Sequence, residues 1–416
     1  MNQEPTPALP VPSGVEGSVG EGSEGEGPKR WLHRTTVGIG LTSLFSDWSH
    51  EIATAILPAF LASVGAGPAW LGFIEGLSDG LSSVAKLAAG HYTDRVRRRK
   101  PLVLAGYAVT TLATGALTLA ATASHVLLAR CVAWLGRGVR TPGRKTLLAA
   151  AVPPSAYGRA FGFERLMDTT GAIVGPLTAL WLLSQYPGNY GRVFLFTLLP
   201  GLLAIVCFGL LVEDRPFSPS SPLPFWQGLR SLPPSFKRFL LAVGVFGAGD
   251  FAHTLLILYA TQALAPELGM AAATSIAVGL YVVHNIFYAA FAYLAGWLGD
   301  RRPRHKVLAA GYALAGVMAL LLATGTHQLL FLGGTFILAG IYVGAEEALE
   351  DSLAAELVPS AQHGVAFGTL AAVNAVGDFL SSILVGLLWT QFSASLAFGT
   401  ACFLFLGGAL LMLRLR

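Results

Sequence analysis

Twelve long apolar segments follow one another through this chain, at approximately 36–63, 68–93, 101–121, 124–150, 158–184, 190–213, 238–264, 272–298, 306–324, 327–353, 364–391 and 393–413. A hydrocarbon core about 30 Å thick is crossed by about 20 helical residues. Inside lipid the backbone must satisfy its own hydrogen bonds, which leaves helices and closed barrels. The segments have helix length, and several exceed 20 residues, which predicts tilt or extension beyond the lipid. Composition agrees: 54% of the 416 residues are apolar and 12% are charged, against about 25% charged in soluble domains. So few charges could not cover a water-soluble enzyme of this size. The expected fold class is an all-α membrane protein with 12 transmembrane helices in two six-helix bundles.

Residues 1–35 are rich in Gly, Glu, Ser and Pro. They cannot bury enough apolar surface to offset ordering, and read as a cytoplasmic disordered tail. They lack the basic and apolar regions of a secretory signal. A Pro- and Ser-rich stretch, 214–237, reads as a linker between bundles 36–213 and 238–416. Cys131, Cys207 and Cys402 lie far apart in apolar runs, which argues against disulfides or a zinc ribbon.

Lys and Arg set the expected orientation. The loop after the second segment carries five basic residues from Arg95 to Lys100, and the loop after the eighth carries four between Arg301 and Lys306. Arg144, Lys145, Arg159, Arg215, Arg230, Lys237, Arg414 and Arg416 fall on the same side, and Arg192 on the other. Both termini are then expected in the cytoplasm. The basic residues sit in short loops, so they are topology signals and not a nucleic-acid footprint.

The two halves repeat each other. AAGHYTDRVRRRKPL at 88–102 aligns with LAGWLGDRRPRHKVL at 294–308, and VPPSAYGRAFG at 152–162 with LVPSAQHGVAFG at 357–368, both offset by 206 residues. Asp47-Trp48-Ser49-His50 aligns with Asp250-Phe251-Ala252-His253. Parallel halves of this kind are a transporter architecture, with substrate between them near the midplane.

These residues resemble the major facilitator superfamily. Gly90 to Lys100, with Asp94 and Arg95, is similar to that superfamily's signature loop, and Gly296 to Lys306, with Asp300 and Arg301, repeats it. Gly171-Ala172-Ile173-Val174-Gly175-Pro176 resembles the signature of exporters that exchange substrate for protons, although Leu-Thr follows it and not a glycine pair. The resemblance implies alternating access by rocking of the halves, proton coupling and export.

Ionisable residues within spans are expensive and are functional leads. In the first segment Asp47, His50 and Glu51 share a helix face. Asp47 and Glu51 are candidate proton carriers, and Asp168 and Asp378 further ones. Candidate substrate contacts are Asp47, His50, Asp79, Arg137, Arg140, Asp250, His253, His284 and Glu346. Glu75 and Lys86 read as structural. Arg144 and Lys145 lie near the cytoplasmic end, over Glu350 and Asp351 in the repeat, and read as a gate. Gly90, Asp94, Arg95, Arg144, Gly175, Pro176, Gly296, Asp300, Arg301 and Glu350 form the gating and signature set. Pro142 is expected to kink or end its helix.

No phosphate loop, zincin motif or nucleophile elbow occurs, so an ATP-driven pump or an enzyme is not expected. The expectation is a proton-coupled exporter of a small organic, drug-like or cationic solute, working as a monomer in a prokaryotic cytoplasmic membrane. It needs no cofactor beyond the proton gradient, and no nucleic acid. One alternative is a divalent transition-metal transporter using Asp47, His50, Asp250 and His253, since imidazole with carboxylate suits such metals. The other is a non-transporting sensor or assembly factor on the same fold.

Overall fold

The computed structural model describes residues 31–66, 68–214, 216, 225–325 and 328–415. Among them there is no strand. The helices are α1 (Arg34–Ser63), α2 (Pro68–Thr93), α3 (Lys100–Gly115), α4 (Ala123–Ala151), α5 (Tyr157–Gln185), α6 (Tyr190–Phe196), α7 (Leu198–Leu211), α8 (Phe225–Arg230), α9 (Pro234–Gly247), α10 (His253–Leu268), α11 (Met270–Gly299), α12 (Arg304–Ala323), α13 (Leu329–Leu357), α14 (His363–Gln391) and α15 (Ala394–Leu413). Eight helical stretches among the described residues are long and apolar enough to cross a membrane. The charge-bearing α1, α2 and α4 are not among them.

Helix starts follow local chemistry. Thr122 and Ser393 cap α4 and α15 by accepting from the amides of His125 and Leu396, which satisfies donors that a helix leaves free. Helix α4 does not end at Pro142 but runs on to Ala151, and the hydroxyls of Thr141 and Thr146 donate to the carbonyls of Arg137 and Pro142 around it. The expected seventh segment is interrupted: α9 ends at Gly247, and α10 starts at His253 after a non-helical Asp250-Phe251-Ala252.

The ends of the presumed tail and linker are also structured. Residues 1–30, and positions 215 and 217–224 with Arg215, lie outside the described residues. Trp31 packs on Phe163 and Tyr293, each at 6.2 Å between ring centroids. Thr35 and Thr36 are buried. Residues 225–230 form α8, and α9 begins four residues before the expected span.

Helices α1–α7 pack mainly on one another, as do α9–α15. The two groups meet along two equivalent seams, α2 on α14 and α5 on α11. Both seams run backbone to backbone. A Cβ on Gly90 would collide with the Gly364 carbonyl oxygen, and one on Gly158 with that of Gly296. Gly171 and Gly175 let α5 lie against Leu44 and Glu51 of α1 in the same way. Phe161 and Phe367, mates in the repeat, touch across the halves at 5.8 Å. Close approach through small residues is a common way for helices to associate in lipid.

Gly90→Val should therefore force the α2–α14 seam apart. With spin labels on cysteines at the exposed positions 97 and 360, in a background lacking the native cysteines, the measured distance should lengthen. An unchanged distribution contradicts this account of the seam.

Candidate functional site

Three features build the interior site: a basic wall, an acidic wall and a locked end.

The basic wall is the α1–α4–α5 face. Arg137 Nη2 pairs with Asp47 Oδ1 at 3.0 Å, and its guanidinium lies 5.1 Å from the Trp134 ring centroid. Arg130 forks both oxygens of Glu75 at 2.7 and 2.8 Å. Arg144 pairs with Glu164 at 2.8 Å, reaches Asp168 at 4.0 Å, and donates to Ser43 and to the Tyr107 hydroxyl at 3.5 Å. Arg140 donates to Ser46 at 2.7 Å and stacks 4.0 Å over the Tyr107 ring. Arg140, at 4% exposure, is held between α1 and α3. It is thus part of a packed polar network with Ser46 and the Tyr107 ring. Glu51 has no ion-pair partner among the described residues.

The acidic wall comes from α13 and its neighbours. Tyr342, Glu346 and Glu350 are one turn apart, so they share a face. Tyr342 donates to Asp250 at 3.0 Å. Glu350, at 2% exposure, accepts from the Tyr312 hydroxyl, and from the Asn374 amide at 2.8 Å. Among the described residues Asp250, Glu346, Glu350 and Asp378 have no cationic ion-pair partner. Asp378 and Asp79 are exposed, on α14 and α2 respectively, with Lys86 and Glu347 within electrostatic reach of Asp378.

The two walls are one construction built twice with opposite charge. Tyr107, Arg144 and Asp168 correspond, 205 or 206 residues on, to Tyr312, Glu350 and Asn374. In the first copy a permanent cation sits among carboxylates and a phenol. In the second a carboxyl accepts from a phenol and an amide, two neutral donors. Single-residue reading missed Tyr107, Tyr312 and Asn374, because tyrosine in an apolar run looks like packing. The repeat offset was the signal that could have found them.

The end carrying the basic loops is locked. Asp94 accepts from the amides of Gly364 and Val365 at the start of α14, both at 2.8 Å. Asp300 accepts from the amides of Gly158 and Arg159 at 2.8 and 3.1 Å, and from Arg159 Nε and Arg304 Nη2. Two ion pairs also cross between halves, Lys145–Asp351 and Arg165–Glu347, each 2.6 Å. Arg144 and Glu350, expected as gate residues, bond within their own halves; their neighbours Lys145 and Asp351 make the crossing. Arg165 also holds Asp168 at 3.0 Å. Arg301 stacks 3.8 Å over Trp297 on its own side. Gly90 and Gly296 serve the seams, and Gly175, next to Pro176, the α1 contact.

The expected metal set does not assemble. Asp47 is with Arg137, His50 lies 5.1 Å from Trp134, Asp250 is with Tyr342, and His253 lies 4.8 Å from His284. Among the described residues no group of three or more His, Cys, Asp or Glu is placed to hold a metal ion.

Two predictions follow from these contacts. Arg144→Ala leaves the buried Glu164 carboxylate without its ion-pair partner, Asp168 keeping Arg165, and should cost about 3–5 kcal/mol, read as a clear fall in melting temperature of the purified protein. An unchanged melt contradicts the pairing. Burial pushes the Asp94 carboxyl up from 3.8 to about 6, against the pull of the two amides and Arg99. Separation of the halves would return it to water and its ordinary range. The locked arrangement then has the higher proton affinity and gains as pH falls from about 6 toward about 4. The 97–360 label distance should shorten over that window in the wild type and stay flat in Asp94→Asn; lengthening with acid contradicts this sign.

With this geometry in view, comparison with known proteins is informative. The sequence model of the Major Facilitator Superfamily matches residues 39–281 and 239–416. An uncharacterized MFS-type transporter of Methanocaldococcus jannaschii is 28% identical over 363 residues, covering 86% of this chain and 89% of the relative. A gallate transporter of Pseudomonas putida is 24% identical, covering 83% of each. Among solved structures, the E. coli fucose:proton symporter superposes with a TM-score of 0.72 at 15% identity, over 92% of this chain and 100% of that one. The human organic anion transporter MFSD10 gives 0.71 at 15% identity, over 93% and 100%.

Proposed function

This chain belongs to the major facilitator superfamily, and we propose that it is a proton-coupled exporter of a small organic solute. It is a membrane-spanning transporter. The finer reading places twelve spans, α6 with α7 and α9 with α10 each counting as one, in a prokaryotic cytoplasmic membrane. By the positive-inside rule the locked end and both termini lie in the cytoplasm, so this arrangement is the one closed on the cytoplasmic side.

Transport follows from two-state geometry. In the outward-open state the cytoplasmic seams are closed by Asp94, Asp300, Lys145–Asp351 and Arg165–Glu347. Rocking breaks these contacts and closes the outer end, giving alternating access. Export is supported by the resemblance of Gly171–Pro176 to exporter signatures.

The observation that supports proton coupling is that Glu350 accepts only from the neutral Tyr312 and Asn374 and, among the described residues, has no cation partner. A buried charge without a cation partner is costly, whereas a protonated carboxyl in the same place makes the same two hydrogen bonds. Asp47 and Asp168 are tied to Arg137 and Arg165, which removes them from first rank as carriers. Glu51 and Asp378, which lack such partners among the described residues, stay as further stations. In the cycle, Glu350 takes its proton in the outward-open state. It releases the proton when the seams part and water reaches the acidic wall from the cytoplasm.

Glu350→Gln mimics the protonated form. In proteoliposomes the variant should lose substrate movement driven by a pH gradient, by at least about tenfold, while keeping exchange of labelled for unlabelled solute at equal pH. Gradient-driven flux equal to wild type would sink the assignment.

A further inference from the structure

The segment that leads into α1 reaches from one half to the other. Trp31 stands just before α1, and its ring is half-buried at the locked end of the α5–α11 seam. It meets Phe163 of α5 edge-on, at 6.2 Å and 72°, and Tyr293 of α11 at 6.2 Å and 35°. The Arg159 guanidinium lies 5.6 Å from the centroid of the same indole, while its Nε holds Asp300 of the second half at 2.8 Å. One ring thus touches both helices of the seam and covers an ion pair that closes it. An indole over the guanidinium attracts it and keeps water from the pair.

The backbone of this segment is anchored on the first half. The Trp31 carbonyl accepts from the Thr36 hydroxyl at 2.7 Å. His33 caps α1, its Nδ1 accepting from the Thr35 amide at 3.2 Å. That acceptor role puts the proton on Nε2, which donates to the Ala151 carbonyl at the end of α4 at 2.8 Å. A Cβ on Gly40 of α1 would collide with the Phe163 ring, so α1 also gives that ring its place. The segment is therefore rooted on α1, α4 and α5, and it reaches the second half through Tyr293. The linker enters the second half over the other seam in a comparable way. A Cβ on Gly228 of α8 would stand 4.0 Å from His91 of α2, and Ser231 accepts from the Gln362 amide, just before α14, at 3.1 Å.

We propose that Trp31 to His33 form a strap that latches the two halves at this end, with the indole as its tongue. The α5–α11 seam parts only when the indole leaves Tyr293, while the strap stays with the first half. Its contact with Tyr293 exists in the closed arrangement alone, so it raises the population of that arrangement. This rests on the rocking of the halves proposed above.

The test uses the full-length protein in lipid nanodiscs. Spin labels go on cysteines at the exposed positions 155 and 302, on opposite sides of this seam, in a background lacking the native cysteines. Trp31→Ala and Tyr293→Leu remove the latch from its two sides. In each, the ratio of long to short distances should rise about five- to tenfold over the parent, the scale of a lost aromatic contact. Trp31→Phe keeps a ring in place and should stay near the parent ratio. Asp300→Asn weakens the lock on the same seam and marks the long distance. A parent-like ratio in both Trp31→Ala and Tyr293→Leu overturns the proposal, whatever Asp300→Asn does; if one of the two fails to fold, the other decides. Opening of the seam without gradient-driven flux in proteoliposomes would sink the exporter and leave the strap standing. Flux with unchanged ratios in both variants would do the reverse.

Discussion

Two carboxylates hold the closed end together, and the arrangement of the rest follows from them. Asp94 and Asp300 each receive two backbone amides at the start of a helix in the other half. Such amides have no partner within their own helix, and their aligned dipoles favour a negative charge. The carboxylates reach them because Gly90 meets Gly364, and Gly158 meets Gly296, with no side chain between. A methyl group at any of these four glycines would push the helix starts out of range. The locked seams then hold Lys145 to Asp351 and Arg165 to Glu347, and set the two charged walls opposite each other.

Within that frame the duplication has been used asymmetrically. A tyrosine of α3 or α12, a charged residue of α4 or α13, and a polar residue of α5 or α14 form the same triad in both halves. Arginine keeps its charge under all conditions, so the copy built around Arg144 is a fixed element saturated by Glu164 and Asp168. The copy built around Glu350 has only neutral donors, so its charge is free to change with the state of the cleft. On the proposed reading, one half is a rigid electrostatic scaffold and the other carries the switch.

The residues of the seams stand out in the sequence as the gating and signature set, because the signature loops and their repeats contain Gly90, Asp94, Gly296 and Asp300 at a constant offset. The cross-half charge complement was legible for the same reason: Lys145 falls over Asp351, and the two are bonded. Pairing within a half was not. Asp47, His50 and Glu51 share a broad face of α1, yet Asp47 meets Arg137, His50 packs on Trp134, and Glu51 has no ion-pair partner among the described residues. Which acid meets which base depends on helix rotation by fractions of a turn, and spacing alone does not fix that. The break at Asp250 was marked only by nearby glycines at 244, 247 and 249, and glycine in such helices more often serves packing. Trp31 fell in a stretch whose composition resembles a tail, but its own ring is large enough to dock on Phe163 and Tyr293.

Proton coupling depends most on Glu350 holding a proton while the cytoplasmic seams are closed. Infrared difference spectroscopy of the reconstituted protein, titrated from neutral to alkaline pH, observes this directly through the carbonyl stretch of a protonated carboxyl. A proton on Glu350 predicts a band that fades with alkali and loses a component in Glu350→Gln that Asp378→Asn leaves in place. A band of full strength in Glu350→Gln, or no such band in the wild type at neutral pH, would contradict it.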